Sequence, residues 1–480
     1  MKKRSIILLL LLLIIWNPLW SQITSEKIDQ LMQSYSDIKK FNGNVLVTKN
    51  GNILFSKSYG MADFEWKMPN SAQTKFRIGS NSKFFTSVAV FQLVEKGKIN
   101  LDKTISDYLP WFDKELGSKI TVRQMLAHTS GLKNYTERAD FYDVLAHLEI
   151  TPEQFAKQYL QDKELLFQPG TKYNYCNTDY YLLGLIVGAV AQKPYEQYIK
   201  ENIFDKVGMK NSGIDTPSEI LDQRARGYEY DFNGYKNARP INMYTSTYSA
   251  GALYSTSADM ELWMQAMDRN ALISEASKKL IYTPGMTTHG LGVFIGKMNN
   301  GLVVVRPGAI NGFSALTSNF IDDKIHIILL DNSSANRRGN HFEDIAGTIY
   351  QIVNNKTYEL PKIPVSYKMG EVYKLSGILP AIDFYKKIKA DSQYNITQSA
   401  SELNSFGYSL LKSGKNKDAL KIFELATKEF PTLANAFDSY AEALAEDGQK
   451  QEAIRNYERV LELSPGDNNA TKQLKILKGN

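Results

Sequence analysis

A serine and a lysine three residues apart can form an acyl-transfer pair when a helix start sets both on one face. An alcohol is a weak nucleophile at neutral pH. A nearby ammonium can hold its oxygen, lower its pKa, or act as the base once desolvated. The chain holds four such pairs: Ser36/Lys39, Ser80/Lys83, Ser130/Lys133 and Ser409/Lys412. Their surroundings separate them. After Ser80, the residues Phe84, Val88, Phe91, Leu93 and Val94 recur at helical spacing until Gly97, which predicts a strand-to-helix junction at Ser80 with Lys83 one turn on. Ser36 falls on an amphipathic N-terminal helix over 22–40 marked by Ile28, Leu31, Met32 and Ile38. Ser130 precedes the turn residue Gly131 and reads as structural, and Ser409 lies in a repeat described below.

Acyl transfer also needs a carrier for the leaving group's proton and groups that orient the substrate. The run from Pro169-Gly170 through Tyr173, Tyr175, Cys176 and Asn177 could supply both, because it puts Tyr175 and Asn177 on a loop between a Pro-Gly turn and an apolar helix beginning after Thr178. A phenol near two ammonium groups can ionise far enough to take the serine proton. Asn177 can donate and accept, which suits a substrate amide. The same tripeptide spacing recurs at Tyr235/Asn237 within a polar run that reads as a surface hairpin. Cys176 is the only cysteine, so no internal disulfide forms, and it is expected as a small buried residue.

Several elements must position these residues. Two β-rich runs joined by Asn50-Gly51 predict a hairpin. From Ser80 to about residue 285 the pattern is mostly helical, with a short helix before His128 and Gly131. Strand-like runs return at Leu302–Arg306, Phe313–Phe320 and Ile325–Leu330. Strands at both ends of a helical middle imply an α+β, three-layer domain: one antiparallel sheet built from both ends, flanking helices, and an inserted helical lobe.

The chain of 480 residues begins with Lys2-Lys3-Arg4, an apolar run from Ile6 to Ile15, then Asn17-Pro18 and Ser21. This is the layout of a secretory signal peptide over 1–21, cut after Ser21 or Gln22, and it implies export to the periplasm or medium. An uncleaved N-terminal anchor is the less favoured alternative. Of the formal charge of +6, three come from this leader, leaving +3, too weak a balance to imply a nucleic-acid partner. The domain is assigned to 22–355 and a Pro-containing linker to 356–366. In the helical region 367–480, Ala419/Ala453, Phe423/Tyr457, Gly414/Gly448 and Pro431/Pro465 are each 34 residues apart. That is the tetratricopeptide period, giving repeats over 400–433 and 434–467, a preceding helix near 378–388 and a closing one near 470–477.

Five blocks occur in order: Ser80-x-x-Lys83, Leu126 to Leu132 around His128, Pro169-Gly170 to Asn177, Ser249 to Asp259, and Gly308 to Gly312-Phe313. Over residues 25–350 the ensemble resembles the serine β-lactamase and penicillin-binding-protein superfamily, in its class C β-lactamase, D-Ala-D-Ala carboxypeptidase and esterase branch. The resemblance implies an exported serine hydrolase acting through an acyl-enzyme on an amide, peptide or ester. It implies Ser80 as nucleophile, Lys83 as its activator, Tyr175 as general base and acid, and Asn177 as a substrate ligand. The N–H groups of Ser80 and Ala309 would form the oxyanion hole. Relatives usually carry Lys-Thr-Gly or His-x-Gly where this chain has Arg306-Pro307-Gly308. Arg306 is thus expected to keep a charge that steers a substrate carboxylate, while Pro307 removes a backbone donor. His128 is expected to support the fold. No metal or organic cofactor is required, and the partners are a small-molecule or peptide substrate and, through the repeats, a protein. Two other readings share these residues: a sensor or binding protein that acylates slowly or not at all, and a scaffold in which the repeats are the working part.

Overall fold

A computed structural model describes residues 22–231, 234–333, 341–396 and 399–479. The leader 1–21 lies outside them. The described residues fall into two compact units, within Met1–Glu229 with Lys236–Glu359, and within Tyr230–Tyr235 with Leu360–Asn480.

The first unit is built on a six-stranded sheet. Its strands are β1 (Gly43–Lys49), β2 (Asn52–Ser58), β3 (Phe294–Met298), β4 (Gly301–Ile310), β5 (Phe313–Phe320) and β6 (Ile325–Asp331), ordered β3-β4-β5-β6-β1-β2 and antiparallel throughout. The first and last parts of the domain therefore meet at β1 and β6, paired from Gly43↔Asp331 to Lys49↔Ile325. Asn50 and Gly51 both take positive φ, 53° and 77°, the conformation a two-residue hairpin needs to match strand twist. The Gly-rich stretch before β3 hid that edge strand from the periodicity argument. The polar hairpin is also present, as strands Tyr228–Asp231 and Gly234–Asn237.

Strand alternation sends side chains into two separate cores. Val45, Val47, Leu316, Ile327 and Leu329 pack with Ile28, Leu31 and Met32 of α1 (22–37) and with Ile345, Ile349 and Val353 of a helix His341–Val353. Leu46, Ala315, Ile328 and Leu330 face the other way, toward α2 (Ser82–Glu95), α3 (Asn177–Ala191) and α4 (Ser257–Asp268). The result is three layers, helix on sheet on helix.

A polar clamp, buried at Glu261 and His326 and partly exposed at Asp268, ties α4 to the sheet. Glu261 and Asp268 stand seven residues apart, two turns on one helix face. His326 of β6 sits between them, with Nδ1 3.0 Å from Glu261 and Nε2 2.9 Å from Asp268. Thr48 donates to Glu261, and Asn319 Nδ2 donates to Asp268 Oδ1 at 2.8 Å. Burial alone would discharge the ring, but the hydrogen bonds and charges of Asp268 and Glu261 outweigh it and raise its pKa to about 9.

β4 crosses the turn that carries Ser80 with no space between them. A Cβ on Gly308 would stand 2.0 Å from the Ile78 carbonyl oxygen.

The second unit is helix-rich, with helices at Val365–Ser376, Ile378–Ile388, Ser399–Lys412, Asn416–Glu429, Ala434–Glu446, Lys450–Leu463 and Asn468–Lys478. The first begins inside the stretch 356–366 that reads as linker, so Val365 and Ser366 are helical. No helix among the described residues is long and apolar enough to cross a membrane.

Two outcomes are expected. Because the folded His326 pKa is raised, its stabilisation is complete below about pH 6.5 and lost as pH climbs through about 9. The substitution His326→Gln should therefore cost on the order of 1–2 kcal/mol at pH 6, discounted for the partial exposure of Asp268, and little at pH 9.5. Urea titration at the two pH values reads the difference. Gly308→Ala should lower the urea midpoint by an amount equivalent to about 1–3 kcal/mol, the cost of overpacking against rigid backbone.

Candidate active site

Strand Phe76–Arg77 pairs with Leu253–Ser255 in a small second sheet, and a 3₁₀ turn, Gly79–Asn81, leads into α2. Ser80 therefore sits in the turn before the helix proper, with Lys83 in the first helical turn. The pairing also fixes the segment before Leu253, so the Ala250 carbonyl faces the lysine. Lys83 Nζ donates to Ser80 Oγ at 3.0 Å and to the Ala250 oxygen at 2.8 Å. Tyr175 OH lies 2.8 Å from the same Ser80 oxygen, and the Lys83 ammonium stands 5.0 Å above the Tyr175 ring. Two side chains, one from α2 and one from the segment before α3, thus converge on one hydroxyl.

Ser80 is half-buried and opens onto a cleft of about 440 Å³. Gly308, Ala309, Asn177, Tyr135, Phe141 and Tyr142 are among its lining residues. Gly79 approaches the Ala309 backbone so closely that a Cβ there would stand 2.9 Å from it. The Ser80 turn and the end of β4 therefore share one wall. Asn177 is the first residue of α3 rather than a loop residue, held by Thr136 at 2.9 Å and by Asn134, whose Oδ1 accepts its backbone N–H.

Arg306 departs from expectation. Alternation along β4 puts Arg306 and Gly308 on the same face, the face that packs on the Ser80 turn. Its side chain is 1% exposed and does not line the cleft. Nε donates to the backbone oxygen of Ser80 at 2.9 Å, and the guanidinium lies 5.9 Å from the Phe294 ring centre. A charge buried behind Ser80 and off the cleft wall cannot grip a carboxylate in the cleft. Asn81 completes the staple: its Nδ2 donates to the Arg306 carbonyl at 2.8 Å and its Oδ1 accepts from Thr317 at 3.1 Å.

Electrostatics follow from this burial. Lys83 is fully buried, and desolvation lowers its pKa; the phenol of Tyr175 opposes that and the charge of Arg306 adds to it. Burial would push the Tyr175 phenol up, yet Lys83 and Arg306, with hydrogen bonds from Lys83 and Ser80, bring it down to about 8. His128 accepts the Cys176 N–H on Nδ1 and is held neutral, first by burial and then by the cations around it. His289 is likewise lowered, to about 3. Cys176 is buried, with its thiol toward the Leu132 carbonyl and its pKa raised by burial. Ser130 accepts from the Leu132 N–H, and Lys133 pairs outward with Asp162 and Glu164, so that pair performs a structural task. Among the described residues, no group of three or more His, Cys, Asp or Glu side chains is arranged to hold a metal ion.

Sequence reasoning missed the acceptor Ala250, the pin Asn81, and the braces Asn134 and Thr136. Ala250 lay within a recognised block. The others make contacts that no spacing along the chain encodes.

Comparison with known proteins gives the family. The β-lactamase family model matches residues 28–347. PbpX of Bacillus subtilis (strain 168), described as a penicillin-binding protein, is 31% identical over 339 residues, covering 70% of this chain and 81% of that one. A teichoic acid D-alanine hydrolase of Staphylococcus aureus is 30% identical over 262 residues, 55% of this chain and 60% of the relative. The crystal structure of a penicillin-binding protein from Bacillus halodurans is 27% identical and superposes with a TM-score of 0.60 over 67% of this chain and 98% of the other. With the family model spanning most of its first unit, the chain belongs to the β-lactamase and penicillin-binding-protein superfamily and is a serine hydrolase that works through an acyl-enzyme on amide, peptide or ester bonds.

Proposed function

We propose that Ser80 is the nucleophile of this hydrolase, Lys83 its activator and Tyr175 the proton carrier. The observation that carries the reading is the placement of Ser80 Oγ between Lys83 Nζ at 3.0 Å and Tyr175 OH at 2.8 Å on a cleft wall. The Tyr175 phenolate takes the Ser80 proton as Oγ bonds to the substrate carbonyl carbon. The electron pair moves to the carbonyl oxygen, where the N–H groups of Ser80 and Ala309 receive it, each worth about 3–4 kcal/mol of barrier. Collapse of this intermediate expels an amine or alkoxide, which leaves with the proton from Tyr175. A water then attacks the acyl-serine and gives its proton to Tyr175, which returns it to the departing Ser80 Oγ and so restores both the hydroxyl and the phenolate. Asn177, on the cleft wall, orients the substrate amide or ester.

The substrate is proposed to be an ester or amide of a small acyl group whose leaving group needs no free carboxylate. Arg306 is turned away from the cleft, which removes the cation that would have held one. The similarity to a teichoic acid D-alanine hydrolase points the same way, toward an aminoacyl ester.

Export follows from the leader residues, and the mature enzyme is proposed to work in the periplasm or medium. The helical region is proposed to hold two tetratricopeptide repeats, 400–433 and 434–467, that dock a protein partner. Supporting this, Ala419, Ala453 and Phe423 are fully buried, Tyr457 nearly so, and Gly414 and Gly448 turn their helix pairs at φ of 70° and 81°.

Incubation of the mature chain with a fluorophosphonate and a fluorescent penicillin, followed by peptide mapping, should place the adduct on Ser80. Ser80→Ala should abolish it, and an adduct retained elsewhere would sink the assignment. Tyr175→Phe should slow acylation by about 10²–10⁴-fold. On p-nitrophenyl and D-alanyl esters, kcat/KM should rise with pH through about 8 as the Tyr175 phenol loses its proton. A peptide ending in a free carboxylate should gain nothing over its amide.

A further inference from the structure

Behind the nucleophile, on the side away from the cleft, lies a second and much smaller cavity of about 20 Å³. Phe84, Trp263, Met264, Met267, Tyr282 and Val304 make most of its wall apolar, and Arg306, Thr317 and Asn319 contribute the polar part. Arg306 and Asn319 are 1% and 5% exposed. Nη1 and Nη2 of Arg306 have no protein acceptor, and Oδ1 of Asn319 has no protein donor. The Asn319 amide is oriented by Asp268, which accepts from its Nδ2 at 2.8 Å and leaves Oδ1 on the other side. Buried guanidinium N–H groups and a buried amide oxygen each lose free energy when left unmade. One water needs about this much room and two or more polar partners.

We propose that this cavity is a site for a single structural water, which accepts from an Arg306 Nη–H and donates to Asn319 Oδ1, and that Arg306 thereby serves as a positioning residue for Ser80. The water closes a line of hydrogen bonds. It runs from the His326 clamp through Asp268 and Asn319 to Arg306, whose Nε holds the Ser80 carbonyl. With its Nη groups anchored, the guanidinium keeps Nε on that carbonyl and keeps its charge beside Lys83 and Tyr175. A halide could sit on the same Nη donors. The Asn319 oxygen, an acceptor, favours water over an anion. The positioning role rests on Ser80 being the nucleophile; the water does not.

A crystal structure at about 1.5 Å or better, grown without chloride and then soaked in sodium bromide, reads the site without reference to activity. The expected result is one water peak within hydrogen-bond distance of Arg306 and Asn319 that bromide does not replace. An unfilled cavity, or an anomalous bromide peak there, would overturn the water. Asn319→Leu keeps the volume but removes the acceptor. Single-turnover acylation should slow by about 10-fold, with its pH dependence displaced upward, KM unchanged and labelling still on Ser80. Asn319→Gln keeps an amide oxygen for Arg306 and an N–H for Asp268 and should retain most of the rate, which also covers the case in which the leucine variant does not fold. Equal losses in both variants, or a wild-type rate and pH profile in Asn319→Leu, would overturn the positioning role. Labelling that persists in Ser80→Ala would instead overturn the assignment of the nucleophile, whatever the crystal shows.

Discussion

Two cations buried side by side, with no carboxylate to neutralise them, are the constraint on which the site depends. Lys83 and Arg306 are both about as buried as any residue in the protein, and neither forms an ion pair with an acid among the described residues. Buried charge without a partner costs several kcal/mol. The surroundings offer few ways to offset it. Asp179 is fully buried nearby, and desolvation raises its pKa well above the usual carboxylate range, against the nearby Ser130 hydroxyl and the Lys83 charge, which disfavours a carboxylate there. His128 and His289 are neutral for the same reason with the opposite sign. Of the groups in this layer, Tyr175 is the one whose pKa moves toward its charged form. The phenol becomes acidic because the scaffold requires an anion there, and it stands 2.8 Å from the nucleophile.

The fold pays for this arrangement by bringing distant segments into rigid contact. The Ser80 turn is pressed between α2, the end of β4 and the segment before Leu253. At this turn, Gly79 and Gly308 each meet backbone too closely to accept a Cβ. Asn81 and Arg306 hydrogen-bond across that contact in both directions, side chain to carbonyl each time. A nucleophile held by backbone contacts loses little entropy on reaction, since its geometry is set before the substrate arrives.

This explains what could be read from the sequence and what could not. The Ser80 pair was one of four, and local pattern separated it because a helix start is a short-range feature. The hairpin at Asn50-Gly51 and the three later strands were legible on the same ground. Arg306 was misread because a motif aligns residue types and says nothing about which way a side chain leaves the strand. Its direction was still implicit in the sequence: a residue two before Gly308 shares its face, and Gly308 is the strand's point of contact with the Ser80 turn. The braces Asn81, Asn134 and Thr136 could not be found this way. Asn81 reaches a partner 225 residues off, and the other two meet Asn177 from more than 40 residues away. The helix Val365–Ser376 was lost because Pro361 and Pro364 dominate the reading of that stretch, although Pro364 in fact stands as the residue before the helix, where its fixed φ is tolerated.

The choice of arginine at 306 then has a physical rationale that lysine would not satisfy. A second lysine in the same apolar layer would lower its own charge by releasing a proton, as burial makes Lys83 inclined to do. Arginine cannot do so at any working pH. With Arg306 fixed as a permanent cation, Lys83 is free to lose its proton while the field that sustains a Tyr175 phenolate persists. The two positive residues therefore divide the work. Arg306 supplies a constant potential and a hold on the Ser80 carbonyl. Lys83 supplies a hydrogen bond to Ser80 Oγ from a donor whose pKa burial lowers. An arrangement of this kind leaves the cleft wall without the Arg306 cation and sets that charge behind Ser80 instead.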